Sequence, residues 1–151
     1  MKDATIDYVL RTTWLAVTKM YNEEALKFDT TMATGFALLS IDPIKGTPST
    51  SLGPKMGMEA TSLSRTLKNM ETRGLIERKP NPEDGRGVLI FLTEFGKEKR
   101  EYSRERVLTF NNKIRENIPE EKLNSFYEVA EIINNMISNK KIYNNKEHTL
   151  K

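Results

Sequence analysis

The chain has 151 residues, enough to bury a core, and its 24 Lys and Arg against 21 Asp and Glu leave a formal net charge of +3, mildly basic and compatible with nucleic acid. It contains no cysteine and a single histidine, His148, which excludes disulfides, thiolate metal sites, cysteine catalysis and thiol redox sensing in this chain. No EF-hand spacing of acids appears, and no cationic start is followed by an apolar run long enough to cross a membrane, so no metal or other cofactor is expected and a cytoplasmic location is.

From Asp3 to about Phe28, the residues Ile6, Leu10, Trp14, Val17, Tyr21 and Ala25 recur every three or four positions, predicting a long amphipathic first helix capped by Asp3 or Thr5. A second helix starts near Thr30 or Thr31, carries Phe36, Leu38, Leu39 and Ile41, and stops before Asp42-Pro43, because the residue ahead of a proline is pushed out of helical geometry. Asp42 to Ser49, with two prolines and a glycine, reads as a connection. Thr50 to Met58 is a brief helix ending at Gly57, in which an N-cap at Ser51 would place Pro54 harmlessly in the first turn.

The next helix follows at helix-turn-helix spacing. Ala60, Leu63, Leu67 and Met70 fall on one flank and should face a core. Thr61, Arg65, Lys68, Asn69 and Thr72 occupy the other flank, and these hydroxyls, cations and amide suit base edges and phosphates. Gly74 stops the helix; Leu75 to Lys79 and Val88 to Leu92 read as strands, and the punctuated loop PNPEDGRG between them should project with Arg86 near its tip. Thr93 caps a fifth helix of roughly 37 Å that lasts to Ile118, with a stripe of Tyr102, Val107, Phe110, Ile114 and Ile118. A sixth runs from Glu120 to about Ser138 with Leu123, Phe126, Ala130, Ile133 and Ile137, and residues 139–151 form a polar tail expected to fray.

The expected fold is therefore mainly α with a small β-hairpin wing: a winged helix-turn-helix part over residues 30–96, plus long terminal helices at 3–28 and 97–138. The stripes of those terminal helices can pack as a bundle within one chain or against a second copy. A homodimer is the favoured expectation, because a two-fold protein matches a two-fold DNA site.

Residues 51–96 resemble the MarR family of winged-helix transcription regulators. Met58, Thr61, Ser62, Leu63, Ser64, Arg65, Met70, Glu71, Gly74, Leu75 and Ile76 stand at the positions of the family's recognition-helix pattern, Asp84-Gly85-Arg86 at its wing Asp-x-Arg, and Leu92, Thr93 and Gly96 at its Leu-Thr-x-x-Gly. The sequence departs from the pattern at Leu52-Gly53-Pro54 and at Gly87, where many relatives have a second arginine. The resemblance implies two recognition helices in successive major grooves of double-stranded DNA and wings in the flanking minor grooves. Arg65 is then the base reader, Thr61, Ser62 and Ser64 contact bases or phosphates at the helix start, Lys68, Asn69 and Arg73 lie towards the backbone, and Arg86 enters the minor groove with Asp84 orienting its loop. It also implies a repressor released by a small lipophilic or aromatic anionic effector, in a cleft that Trp14, Tyr21, Phe36 and Tyr102 would line. Peroxide sensing by cysteine, known in part of the family, cannot operate here. A winged-helix module binding protein is the competing reading, and no nucleophile-base pair or phosphate-cradling glycine loop points to an enzyme.

Overall fold

The computed structural model describes residues 3–143. Its elements run α1 (Ile6–Leu26), α2 (Met32–Ser40), β1 (Thr47–Pro48), α3 (Ser49–Met56), α4 (Ala60–Thr72), β2 (Ile76–Asn81), β3 (Asp84–Leu92), α5 (Glu94–Asn117) and α6 (Glu120–Ser138). The polar tail expected at 139–151 falls mostly outside the described residues, as does His148. The chain divides into two compact units, 1–106 and 107–151, with α5 continuing from the first into the second.

In the first unit, Ala37, Leu38 and Ile41 of the α2 region meet Leu52 of α3, Leu63, Leu67 and Met70 of α4, Leu75 and Ile76 after it, and Ile90 and Leu92 of β3. The three strands form an antiparallel sheet in the order β1-β3-β2. VLIFL alternates as a half-buried strand should: Ile90 and Leu92 face the core while Leu89 and Phe91 are only partly covered. Strand β1 lies inside what reads as a connection, since two residues carry no periodic signal and Pro48 is tolerated at an edge. Asp42 builds the turn before it by accepting from the backbone N–H groups of Ile44 and Lys45, both at 2.8 Å. Those bonds hold its carboxyl below the usual carboxylate range. The buried Thr47 hydroxyl closes the same turn by accepting from the Asp42 N–H at 2.8 Å.

Caps explain several boundaries. Thr31 Oγ1 accepts from the Thr34 N–H at 3.2 Å and opens α2. At the end of α4, the Leu75 N–H reaches the Met70 carbonyl at 2.9 Å and the Gly74 N–H reaches Glu71 at 3.0 Å. This double closure needs a left-handed residue, supplied by Gly74 at φ 74°. Helix α3 differs from expectation, because it begins at Ser49 with Pro48 at the N-cap position, so Pro54 lies in its interior. The lost bond to the Thr50 carbonyl is tolerable, since both Thr50 and Pro54 are exposed to water. Ser51 is no cap; its hydroxyl donates back to the Pro48 carbonyl at 2.9 Å.

Candidate nucleic-acid interface

Helix α4 carries the largest separation of polar and apolar faces that the sequence predicts, and the structure divides it accordingly. Leu63, Leu67 and Met70 are buried, whereas Thr61, Ser62, Ser64, Arg65, Lys68, Asn69 and Thr72 are exposed. Ala60, expected on the core flank, is exposed as well, because the first residue of the helix extends past the edge of the packing. Glu59 at the N-cap makes no side-chain bond, so the first-turn N–H groups beside Thr61 and Ser62 remain open donors at the positive end of the helix. Thr72 bonds its hydroxyl back to the Lys68 carbonyl at 3.0 Å, which turns that group away from other partners.

The wing differs in shape from the expected loop. Both strands are longer, and the turn itself is only Pro82-Glu83. Between the Pro80–Val88 and Asn81–Asp84 pairs the register breaks, leaving Gly85, Arg86 and Gly87 of β3 without partners on β2. Arg86 thus sits in a glycine-flanked bulge beside the tip, not at it. Asp84 Oδ1 accepts from the Arg86 N–H at 3.1 Å and Asn81 Oδ1 from the Glu83 N–H at 3.0 Å, so short side chains build the wing end. A Cβ at Gly87 would stand 3.1 Å from Asp84 Oδ2. Glycine there keeps the bulge narrow.

Pairing separates the cations. Among the described residues, the cationic groups of Arg65, Lys68 and Arg86 are on exposed residues and have no ion-pair or hydrogen-bond partner, while Arg78 is paired with Glu71 and Lys79 lies 3.8 Å from Glu77 and 4.9 Å from the Phe91 ring centre. Arg73 is different again. Its Nη2 donates to the Asp29 carbonyl at 2.6 Å, tying the end of α4 to the turn between α1 and α2, where Asp29 adopts a φ of 53°. Arg73→Ala should therefore cost about 1 kcal/mol of stability and leave the salt dependence of any DNA binding unaltered. Denaturant unfolding with a salt titration measures both, and a shallower slope would make Arg73 a phosphate contact after all.

The four aromatic residues expected to line a cleft differ in their surroundings. Trp14 is 53% exposed on α1. Tyr21 and Phe36 meet edge to face at 5.7 Å. Tyr102 packs on Phe28 with ring centres 3.9 Å apart, beside a cavity of about 20 Å³ that Arg73, Lys99 and Ser103 also line. Burial pushes the Tyr21 and Tyr102 phenols up. Arg78 stands at no motif position in the sequence. Its signal was the period of two in IERKPN, which puts it on the same sheet face as buried Ile76.

This arrangement, a capped polar-faced helix followed by a bulged two-stranded wing, coincides with the MarR family model, which matches residues 30–88. The chain is similar to the MarR family over that stretch. A Bacillus subtilis relative, the organic hydroperoxide resistance transcriptional regulator, is 36% identical over 80 residues, which cover 53% of this chain and 54% of that protein. The chain spans about half the length of the curated relatives it matches. Two solved structures share the whole architecture. The S. aureus MepR-DNA complex superposes with a TM-score of 0.76 at 20% identity, covering 91% of this chain and 99% of that one. The PcaV regulator of Streptomyces coelicolor, in complex with its natural ligand, gives 0.75 at 17% identity over 87% and 93%. At these identities the likeness establishes a winged-helix fold alone, with six helices and a small three-stranded sheet among the described residues.

Proposed function

We propose that this chain is a MarR family regulator, a sequence-specific double-stranded DNA-binding transcription regulator and not an enzyme, acting as a homodimer on a palindromic promoter site and released by a small lipophilic or aromatic anionic effector. The observation that carries the reading is the set of unpaired, solvent-facing donors on α4 and the wing: Thr61, Ser62, Ser64, Arg65, Lys68 and Asn69 on one helix flank and Arg86 in the bulge. Unpaired cations on a rigid helix are what phosphate and base-edge contact requires, whereas a protein-docking wing would present apolar anchors. The DNA-bound state of MepR supports the nucleic-acid part, and the ligand-bound state of PcaV the effector part. Thiol sensing is no part of it, since the chain has no cysteine.

Residues 30–96 form the DNA-binding part in this reading, and 3–28 with 97–138 the dimerisation part. The exposed apolar residues of the terminal helices support a second copy: Ile6, Leu10, Trp14 and Leu15 on α1 in the first unit, and Phe126, Val129, Ile132 and Ile137 on α6 in the second. Among the described residues no helix is long and apolar enough to cross a membrane, so that apolar surface is not a bilayer span.

A footprint of the purified chain on its own upstream region tests the proposal, with protection expected over two half-sites about one helical turn apart. Protection without two-fold symmetry would remove the dimer, and no protection at any position would remove the DNA-binding reading. Arg86→Ala should weaken binding and make the slope of log affinity against log salt shallower by about one. An unchanged slope would take the wing out of the contact.

A further inference from the structure

The geometry points to Glu71 and Arg78 as a positioning pair that holds the wing at a fixed angle to the recognition helix, an inference that rests on the DNA-binding reading above. Arg78 lies opposite Ile90 in the β2–β3 register and two residues after Ile76, so its side chain leaves the sheet on the face those two buried residues share. Glu71 follows Leu67 by four residues on α4, continuing the buried row to the end of the helix. Where the two rows meet, Arg78 Nε donates to Glu71 Oε2 at 2.5 Å. The connection between them is the tight Gly74 stop, and the Thr93 hydroxyl donates to the Gly74 carbonyl at 2.6 Å. The far end of β2, by contrast, is an edge strand that extends to the wing tip with Glu77, Lys79 and Pro80 exposed. The Glu71–Arg78 bridge thus links the helix that carries Arg65 to β2, the strand paired with β3, which carries Arg86.

Its purpose is not fold stability. The two side chains keep 48% and 39% of their surface in water, where an ion pair contributes little. Simultaneous fit into two grooves is a different demand, because a misaligned wing loses its contact even when the helix is seated. The sign of one substitution separates this role from simple electrostatics. Glu71→Gln removes a carboxylate from a surface that would face phosphates, so on charge alone it tightens binding; as half of a positioning pair its loss weakens binding.

The experiment measures affinity of the full chain for its footprinted site across a salt series, for the parent, Glu71→Gln, Arg78→Gln and the double variant. The expected result is a loss on the order of two- to tenfold for each single variant and no further loss in the double, as for residues acting through one contact. The slope for Glu71→Gln should equal the parent's, and thermal midpoints should move by about 3 °C or less. Equal or tighter binding by Glu71→Gln, or additive losses in the double variant, would overturn the assignment. Because the chain has no cysteine, spin labels on Glu59→Cys and Glu83→Cys report the helix-to-wing distance without competing thiols. A single narrow distribution should broaden when Glu71→Gln is added, and an unchanged one would overturn the assignment whether or not DNA binds. If the parent binds no DNA, the functional reading fails while the distance measurement still judges the pair.

Discussion

Replacing Gly96 by alanine lowers the stability of the winged-helix unit by about 3 kcal/mol, the upper range for overpacking a rigid contact. Gly96 is the third residue of α5 and is buried. A Cβ built there clashes with the Leu75 carbonyl oxygen, far inside van der Waals contact distance, and stands 3.0 Å from its carbon. The obstacle is backbone, not the end of a flexible side chain. That same oxygen accepts the Thr93 N–H at 3.1 Å, while the Thr93 hydroxyl accepts the Gly96 N–H at 3.0 Å. Moving Leu75 aside to admit a methyl group therefore breaks the joint between the end of α4, the start of β2 and the cap of α5. Gly85→Ala is the control, since nothing lies within 4 Å of a Cβ at that position. Denaturant unfolding of the two variants should show a large loss for the first and a negligible one for the second. A Gly96→Ala variant within about 0.5 kcal/mol of the parent would mean that the close approach is not maintained in solution.

Under the proposed DNA-binding role, Arg65→Ala should cost about 1 to 3 kcal/mol of affinity for the specific site and relax the preference at one base pair in each half-site. The residue is exposed in the first half of α4, and among the described residues its guanidinium has no side-chain partner, so the substitution leaves the fold intact. Loss of specificity at unchanged stability is the signature of a base reader. A residue contacting only phosphate would weaken all sequences alike. Competition binding against a library randomised at each half-site position measures the two effects separately, and an unaltered base preference would remove Arg65 from the readout.

Much of the fold was legible because its signals are local. The Thr31 cap, the Gly57 and Gly74 stops, the Thr93 cap and the Leu63, Leu67 and Met70 spacing each depend on residues within one or two turns. The start of α3 is not legible because Pro54 reads as a first-turn residue, whereas packing of Leu52 in the core draws the helix back to Ser49. The wing reads as a projecting loop because prolines and glycines suppress strand signals, although a long hairpin accepts them at an edge and in a bulge.

What the sequence by itself determined is the order of the elements, the two-faced recognition helix and the family pattern, all set by short-range periodicity and capping. Tertiary structure decided the roles of individual charges. Arg65 and Arg73 look alike eight residues apart, yet one is free and the other is tied to the Asp29 carbonyl, 44 residues away along the chain. Likewise Arg78 and Arg86 both follow Gly74, but the pleat turns the first onto Glu71 and the bulge leaves the second in solvent. The glycine at position 96 belongs to the same class, recognisable as a motif letter but explained only by the Leu75 carbonyl above it. These partners are brought together by register and helix packing, and sequence separation carries no information about either.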